Sequence, residues 1–199
     1  MEKLKNYING KWVNSNSKEF IDVINPATQE VLAKVPSGKG TSKDINKAVE
    51  SAHLAYLEWK DVPTMKRVQP LFKLKILLEE NKLEISKIIT KECGKTLKES
   101  EGEIQRAIEN VEVACGAYVM NQSEFSENIA PGIDEFMIRQ PLGVCGCITP
   151  FNFPGMIPFW FLPYALATGN AFIIKPSEKV PLTMSFIIEL IDKHLDLPK

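Results

Sequence analysis

The polar groups best placed to do chemistry gather between Gly143 and Thr183, in the stretch GVCGCITPFNFPGMIPFWFLPYALATGNAFIIKPSEKVPLT. Asn152 stands between Pro150 and Pro154, and Lys175 and Glu178 bracket Pro176-Ser177. Each group follows a short apolar run, so each would face a bound ligand if those runs are strands. A plainer use exists for all three: Asn152 as a turn former between prolines, Lys175 as a solvated strand end, Glu178 as a charge at a helix start. Nucleophilic chemistry would need a thiol with a base beside it. The cysteines are Cys93, Cys115, Cys145 and Cys147, and the histidines are His53 and His194. Both histidines fall in expected helices, as surface or boundary residues. Cys145 and Cys147 alternate along one run and point to one face. Without a second pair or a histidine cluster they read as core thiols and not as a metal site. Cys115, among small helix neighbours, also reads as core. Cys93 precedes Gly94 at a helix end and could act as a nucleophile only with a base nearby. Arg106 borders an apolar helix stripe. Glu103, Glu109 and Asn110 are possible partners for it, and a ligand role is the alternative.

The elements that would position these groups follow from the apolar pattern. Residues 144–148, bounded by Gly143 and Pro150, predict a buried strand. An irregular turn surrounds Asn152, and the apolar segment 156–167 predicts a buried helix stopped by Thr168-Gly169-Asn170. Residues 171–174 predict a second buried strand. Strand, helix and strand in this spacing make a βαβ unit with parallel strands. In such sheets ligands sit beyond the carboxyl ends of the strands, where Asn152, Lys175 and Glu178 lie.

Upstream, Tyr7-Ile8-Asn9-Gly10-Lys11-Trp12-Val13 predicts a hairpin with a tight Asn-Gly turn. A second extended pair spans 20–24 and 30–35, joined by Asn25-Pro26-Ala27-Thr28. Thr41 or Ser42 should cap the first helix, whose apolar face is Ile45, Ala48, Val49, Ala52, Tyr56 and Trp59. A second helical stretch opens at Pro63-Thr64, with a kink or later start at Pro70. Leu71, Leu74, Leu77 and Leu78 form its buried face, and Asn81 ends it. A third helix covers 83–93, closed by Gly94. A fourth runs from about 97 to 120 and buries Ile104, Ala107, Ile108, Val111, Ala114, Cys115 and Tyr118. Residues 121–131 read as a polar loop and 135–140 as an extended segment. Val180-Pro181 starts the last helix, with Met184, Ile187, Ile188 and Ile191 inward.

The chain has 199 residues, 44% hydrophobic and 25% charged, as a globular domain requires. A net charge of −1 gives no footing for nucleic acid or a membrane surface. No apolar run reaches the ~18 residues of a spanning helix, and the start, MEKLKNYINGKW, lacks a signal core. A cytoplasmic protein is expected. Two parallel strands cannot bury both their faces, so the sequence reads as the front portion of a longer protein.

Taken together, the residues resemble a known family. Thr149-Pro150-Phe151-Asn152-Phe153-Pro154, Gly169-Asn170 and Lys175-Pro176-Ser177-Glu178 resemble the aldehyde dehydrogenase superfamily. Ile8-Asn9-Gly10-Lys11-Trp12, Asn25-Pro26-Ala27-Thr28 and Gly94-Lys95-Thr96 fit it in the same order. Phe151, where most relatives carry Trp, and Gly155-Met156-Ile157-Pro158 look like its methylmalonate-semialdehyde dehydrogenase branch. The resemblance implies an α/β fold: the first part of a Rossmann-like cofactor-binding domain with β-ribbon additions. It would divide 1–199 into ribbons at 6–35, a helical region at 42–120, an oligomerisation ribbon at about 123–140 and a βαβ unit at 143–199, without the catalytic domain.

The same resemblance implies a thiol mechanism. In the family a cysteine thiolate attacks the aldehyde, and an asparagine amide matching Asn152 donates a hydrogen bond to the oxyanion, a contribution of about 3 kcal/mol. Hydride then passes to the nicotinamide and a thioester remains. Water cleaves it in most relatives. In the methylmalonate branch coenzyme A takes the acyl group, with loss of carbon dioxide. Lys175 and Glu178 match the residues that hold the adenosine ribose, and Ile148, Thr149, Pro150 and Phe151 the turn that lines NAD. Arg106 matches an arginine that pairs with the substrate carboxylate, as a planar guanidinium does well. The usual glycine-rich phosphate fingerprint is missing after the first strand. The family's nucleophilic cysteine, glutamate base and pyrophosphate turn find no match in the chain, so the chain alone is expected to be inactive. A dimer or tetramer is implied for the full-length form. The alternatives are a non-catalytic product that only associates with other chains, or part of a non-acylating aldehyde dehydrogenase.

Overall fold

Two antiparallel ribbons open the chain. In the computed structural model, which describes residues 2–38 and 41–198, β1 (Asn6–Ile8) pairs with β2 (Lys11–Val13). Their turn places Asn9 at φ 53° and Gly10 at φ 67°, the double positive φ of a primed turn. β3 (Phe20–Ile24) pairs with β4 (Val31–Pro36), with Val23 and Ala33 buried beneath. Lys199, where the sequence reading ends its βαβ unit, lies outside the described residues.

The helices build the core. α1 (Ser42–Trp59) is followed by α2 (Thr64–Arg67), α3 (Gln69–Glu80), α4 (Lys82–Cys93), α5 (Leu97–Cys115) and α6 (Ala117–Met120). Pro70 sits in the first turn of α3, where its missing N–H costs nothing, so the helix starts late instead of kinking. Leu71, Leu74 and Leu78 meet Ile85, Ile89, Ile104, Ile108 and Val111, all at most 2% exposed. Each such burial contributes about 2 kcal/mol.

Several expectations change. Thr41 makes no capping bond to α1; its hydroxyl donates back to the Gly38 carbonyl at 2.9 Å. Asp44, in the first turn, instead receives the Ser15 hydroxyl at 2.7 Å and the Asn16 amide at 2.9 Å. Ile45 and Val49 are exposed; α1 is instead held at its far end, where Trp59 is buried and donates its indole N–H to the Leu166 carbonyl at 2.8 Å. The fourth helix ends at Cys115, since Gly116 breaks it from α6, and Tyr118 turns out to solvent. The polar loop expected at 121–131 is largely a strand. β5 (Glu124–Ala130) and β6 (Ile133–Met137) form a hairpin over Pro131-Gly132, Gly132 having φ 72°. Backbone pairing holds it despite polar side chains, which propensity alone does not register.

β7 (Val144–Ile148) and β8 (Ala171–Lys175) run parallel, in register from Val144 opposite Ala171 to Ile148 opposite Lys175. Between them Pro158 and Pro163 divide the apolar segment into a 3-10 turn, Ile157–Trp160, and α7 (Leu162–Ala167). α8 (Leu182–His194) follows β8. Phe172 and Ile174 pack on the helical core. Ile148, expected to be buried, is 82% exposed. Two buried polar side chains lock this unit. The Asn170 Oδ1 accepts the Leu142 and Gly143 amides at 2.6 and 2.9 Å, fixing the start of β7. The Arg67 guanidinium donates to the Ala167 and Val62 carbonyls at 3.0 and 2.6 Å, tying α7 to α2.

Candidate active-site rim at the ends of the parallel strands

The carboxyl ends of β7 and β8 lie side by side. The Thr149 amide donates to the Lys175 carbonyl at 3.1 Å, which carries the parallel ladder one step past Ile148. Thr149 is buried, whereas Pro150, Phe151 and Asn152 are exposed. The turn through Asn152 and the segment after Lys175 therefore leave from adjacent points of one rim. Lys179 closes the gap from the other side, its ammonium 4.9 Å from the centre of the Phe151 ring.

What holds the turn is a carboxylate from a distant helix. The Glu103 Oε1 on α5 accepts the Gly155 amide at 2.7 Å and the Met156 amide at 3.2 Å. Its Oε2 meets the Lys95 ammonium at 2.5 Å, and Lys95 also stacks 3.8 Å from the centre of the Phe153 ring. Gly155 sits in tight space: a Cβ there would come within 2.5 Å of Ile104 Cδ1 and 3.0 Å of Ile89 Cδ1, so those side chains would have to shift. The Cys93 thiol adds a weak contact to the Phe151 carbonyl at 3.5 Å.

The Gly94-Lys95-Thr96 motif now has a physical reading. Gly94, at φ 80°, ends α4 and lies against Pro26, whose Cγ would be 2.8 Å from any Cβ at that position. Lys95 pairs with Glu103. Thr96 and Glu99 form the capping box that starts α5. From the sequence alone Glu103 reads only as a possible partner for Arg106. Its signal was its place on the buried stripe of α5, next to Ile104 and one turn from Ser100 and Ala107, where an unpaired carboxylate is costly.

Asn152 is exposed, and among the described residues no hydrogen bond engages its side-chain amide. Lys175 and Glu178 form an exposed ion pair at 3.1 Å. The Glu178 carboxyl is held below its usual range by its own backbone amide and then by the Lys175 ammonium. Arg106 lies one helical turn beyond Glu103 with its side chain 72% exposed, and Glu109 is 3.9 Å away. Ile148 and Phe151 present exposed apolar surface at the rim.

Cys93, Cys115 and Cys147 are not primed for attack. Burial pushes Cys93, Cys115 and Cys147 up from the ordinary thiol value, which keeps them protonated at neutral pH. His53 and His194 are exposed on α1 and α8. Among the described residues no cluster of metal-binding side chains forms, and no helix is long and apolar enough to cross a membrane.

Malonate-semialdehyde dehydrogenase 2 of Oceanobacillus iheyensis is 46% identical over 193 residues, covering 97% of this chain and 39% of the relative. The protein of Sinorhizobium meliloti 1021 assigned as a methylmalonate-semialdehyde dehydrogenase, solved with NAD, superposes with a TM-score of 0.93 at 39% identity, over 100% of this chain and 40% of its own. The methylmalonate-semialdehyde dehydrogenase of Oceanimonas doudoroffii gives the same TM-score at 38% identity and the same coverage. This chain thus spans about two fifths of the length of the relatives it matches. The model of the aldehyde dehydrogenase family matches residues 12–199, and on that match this chain belongs to the aldehyde dehydrogenase family.

Proposed function

We propose that this chain is the front, cofactor-binding portion of an NAD-dependent malonate- or methylmalonate-semialdehyde dehydrogenase, which oxidises a semialdehyde to an acyl-CoA in the cytoplasm. The observation that carries the reading is the amide of Asn152, exposed and without a hydrogen bond among the described residues, on a turn clamped by Glu103, beside the rim that bears Lys175 and Glu178. A turn-forming asparagine would spend its side chain on local backbone; this one is left for a ligand.

The residues suit a nicotinamide dinucleotide. An ammonium donor 3.1 Å from a carboxylate acceptor matches a ribose diol, which accepts from the one and donates to the other. Ile148, Thr149, Pro150 and Phe151 offer a mainly apolar wall for flat rings, and NAD when bound supplies the hydride acceptor. Asn152 donates to the oxyanion that forms as a thiolate adds to the aldehyde. That thiolate and the glutamate base belong to a part of the enzyme that none of the four cysteines here represents, so the chain by itself does not turn over. Arg106 takes the substrate carboxylate, because an exposed pair at 3.9 Å with Glu109 is weak and readily exchanged. Coenzyme A is the acyl acceptor, as in the branch the sequence resembles.

The hairpin β5–β6 serves contact between subunits of a homo-oligomer. Its side chains stand in solvent on both faces, Phe125 and Phe136 among them, a surface that association would cover.

The decisive experiment is Asn152→Ala in the full-length enzyme. Loss of an oxyanion donor lowers kcat on the order of 100-fold while NAD affinity, measured by fluorescence titration, stays the same. Unchanged kcat would sink the reading.

A further inference from the structure

We infer that Glu103 and Lys95 are positioning residues for the oxyanion donor: their ion pair sets where the Asn152 amide points. This rests on the role proposed above for Asn152. Glu103 is buried and spends both carboxylate oxygens. One takes the consecutive amides of Gly155 and Met156 at 2.7 and 3.2 Å, and the other the Lys95 ammonium at 2.5 Å. Gly155 is three residues from Asn152, so two successive amides on one oxygen fix both the height and the rotation of the turn. Lys95 braces it again by lying over Phe153, the residue after Asn152, at 3.8 Å. The clamp is rigid on the far side as well. Glu103 is on the core face of α5, whose start is locked by the Thr96–Glu99 capping box, and Gly155 abuts Ile104 and Ile89. Among the described residues the side chain of Asn152 has no such tether, so its direction is inherited from the backbone that Glu103 holds. Displacing a reacting group by about 1 Å costs on the order of 100-fold in rate.

The test is a pair of double-mutant cycles in the full-length enzyme, with kcat and KM measured at saturating NAD. Glu103→Gln keeps the volume and the oxygen that faces the amides but loses the attraction for Lys95. Lys95→Met removes the cation and leaves Glu103 in place. Each single variant is expected to lower kcat about tenfold with KM for the aldehyde within about twofold. Added to Asn152→Ala, each is expected to cost less than about twofold more, because the group it positions is gone. Lys95→Arg recovers part of the loss. Equal losses with and without Asn152 would show a general structural role and overturn the inference, as would unchanged kcat in both single variants. If Glu103→Gln does not fold, judged by circular dichroism, the Lys95→Met cycle decides the matter. Should Asn152→Ala alone leave kcat unchanged, the oxyanion reading fails first and takes the clamp with it, so the two failures differ in which single variant is silent.

Discussion

Thr183, at the start of α8, donates its backbone amide at 2.8 Å to the carboxylate of Glu92, 91 residues earlier at the end of α4. Its hydroxyl bonds to the same oxygen, and the Leu182 amide donates to the other at 2.7 Å. A side chain from a different helix thereby caps α8, which has no side-chain cap of its own. The Lys175–Glu178 segment leads directly into that helix, so Glu92 anchors the far end of the rim as Glu103 anchors the near end.

The Glu92 cap makes stability depend on pH. Burial pushes its carboxyl up from 4.5 to about 7, against the opposing hydrogen bonds from Thr183 and Leu182, with the Glu103 charge adding to the rise. A carboxyl raised in the folded state binds protons more tightly there than in the unfolded chain. Its contribution is therefore fully present below 4.5 and is lost as pH rises through 7. The Glu92→Gln variant should flatten the fall in Tm between those limits; thermal melts at pH 5 and pH 7 compare the slopes.

Gly155→Ala should destabilise the protein by about 1–3 kcal/mol through overpacking. The added methyl would lie against Ile104 and Ile89, both fully buried. Urea denaturation measures the loss. Adding Ile104→Val, which removes the Cδ1 atom in the way, should recover part of it; no recovery would show that the turn, not the core, resists the methyl.

Removing the Arg67 guanidinium should cost about 2–4 kcal/mol, because the Ala167, Val62 and Lys60 carbonyls all accept from it and buried acceptors left unpaired are costly. Arg67→Lys should rescue little, since one ammonium cannot reach a spread of acceptors that the planar fork serves. Chemical denaturation of Arg67→Met and Arg67→Lys should give nearly equal midpoints.

If Lys175 holds the cofactor as proposed, Lys175→Met in the full-length enzyme should weaken NAD binding about tenfold, the value of one hydrogen bond to a charged group. The kcat at saturating NAD should change little, because the ribose is remote from the reacting carbon. A fluorescence titration with NAD beside steady-state kinetics separates the two, and an unchanged affinity would remove Lys175 from the cofactor site.

Sequence alone was enough wherever a local rule decides the conformation. Asn9-Gly10 made its hairpin because few residue pairs accept positive φ twice. Gly94 ended α4, Pro70 delayed α3, and the apolar run 144–148 became β7 with its boundaries unchanged. The motif residues also pointed to the family, since their order along the chain is sequence information. Tertiary structure decided what depends on partners far away in the chain. Nothing near Ile45 or Val49 announced that they would stay in solvent while Trp59, on the same helix, is buried. The polar stretch at 124–130 became a strand only by pairing with β6. Glu103, Glu92 and Arg67 were ordinary helix charges until folding carried each of them to backbone groups 50 to 100 residues away. A buried charge is tolerable only where such partners arrive, and which backbone groups arrive is settled by the packing of the helices, a contact that no local rule encodes.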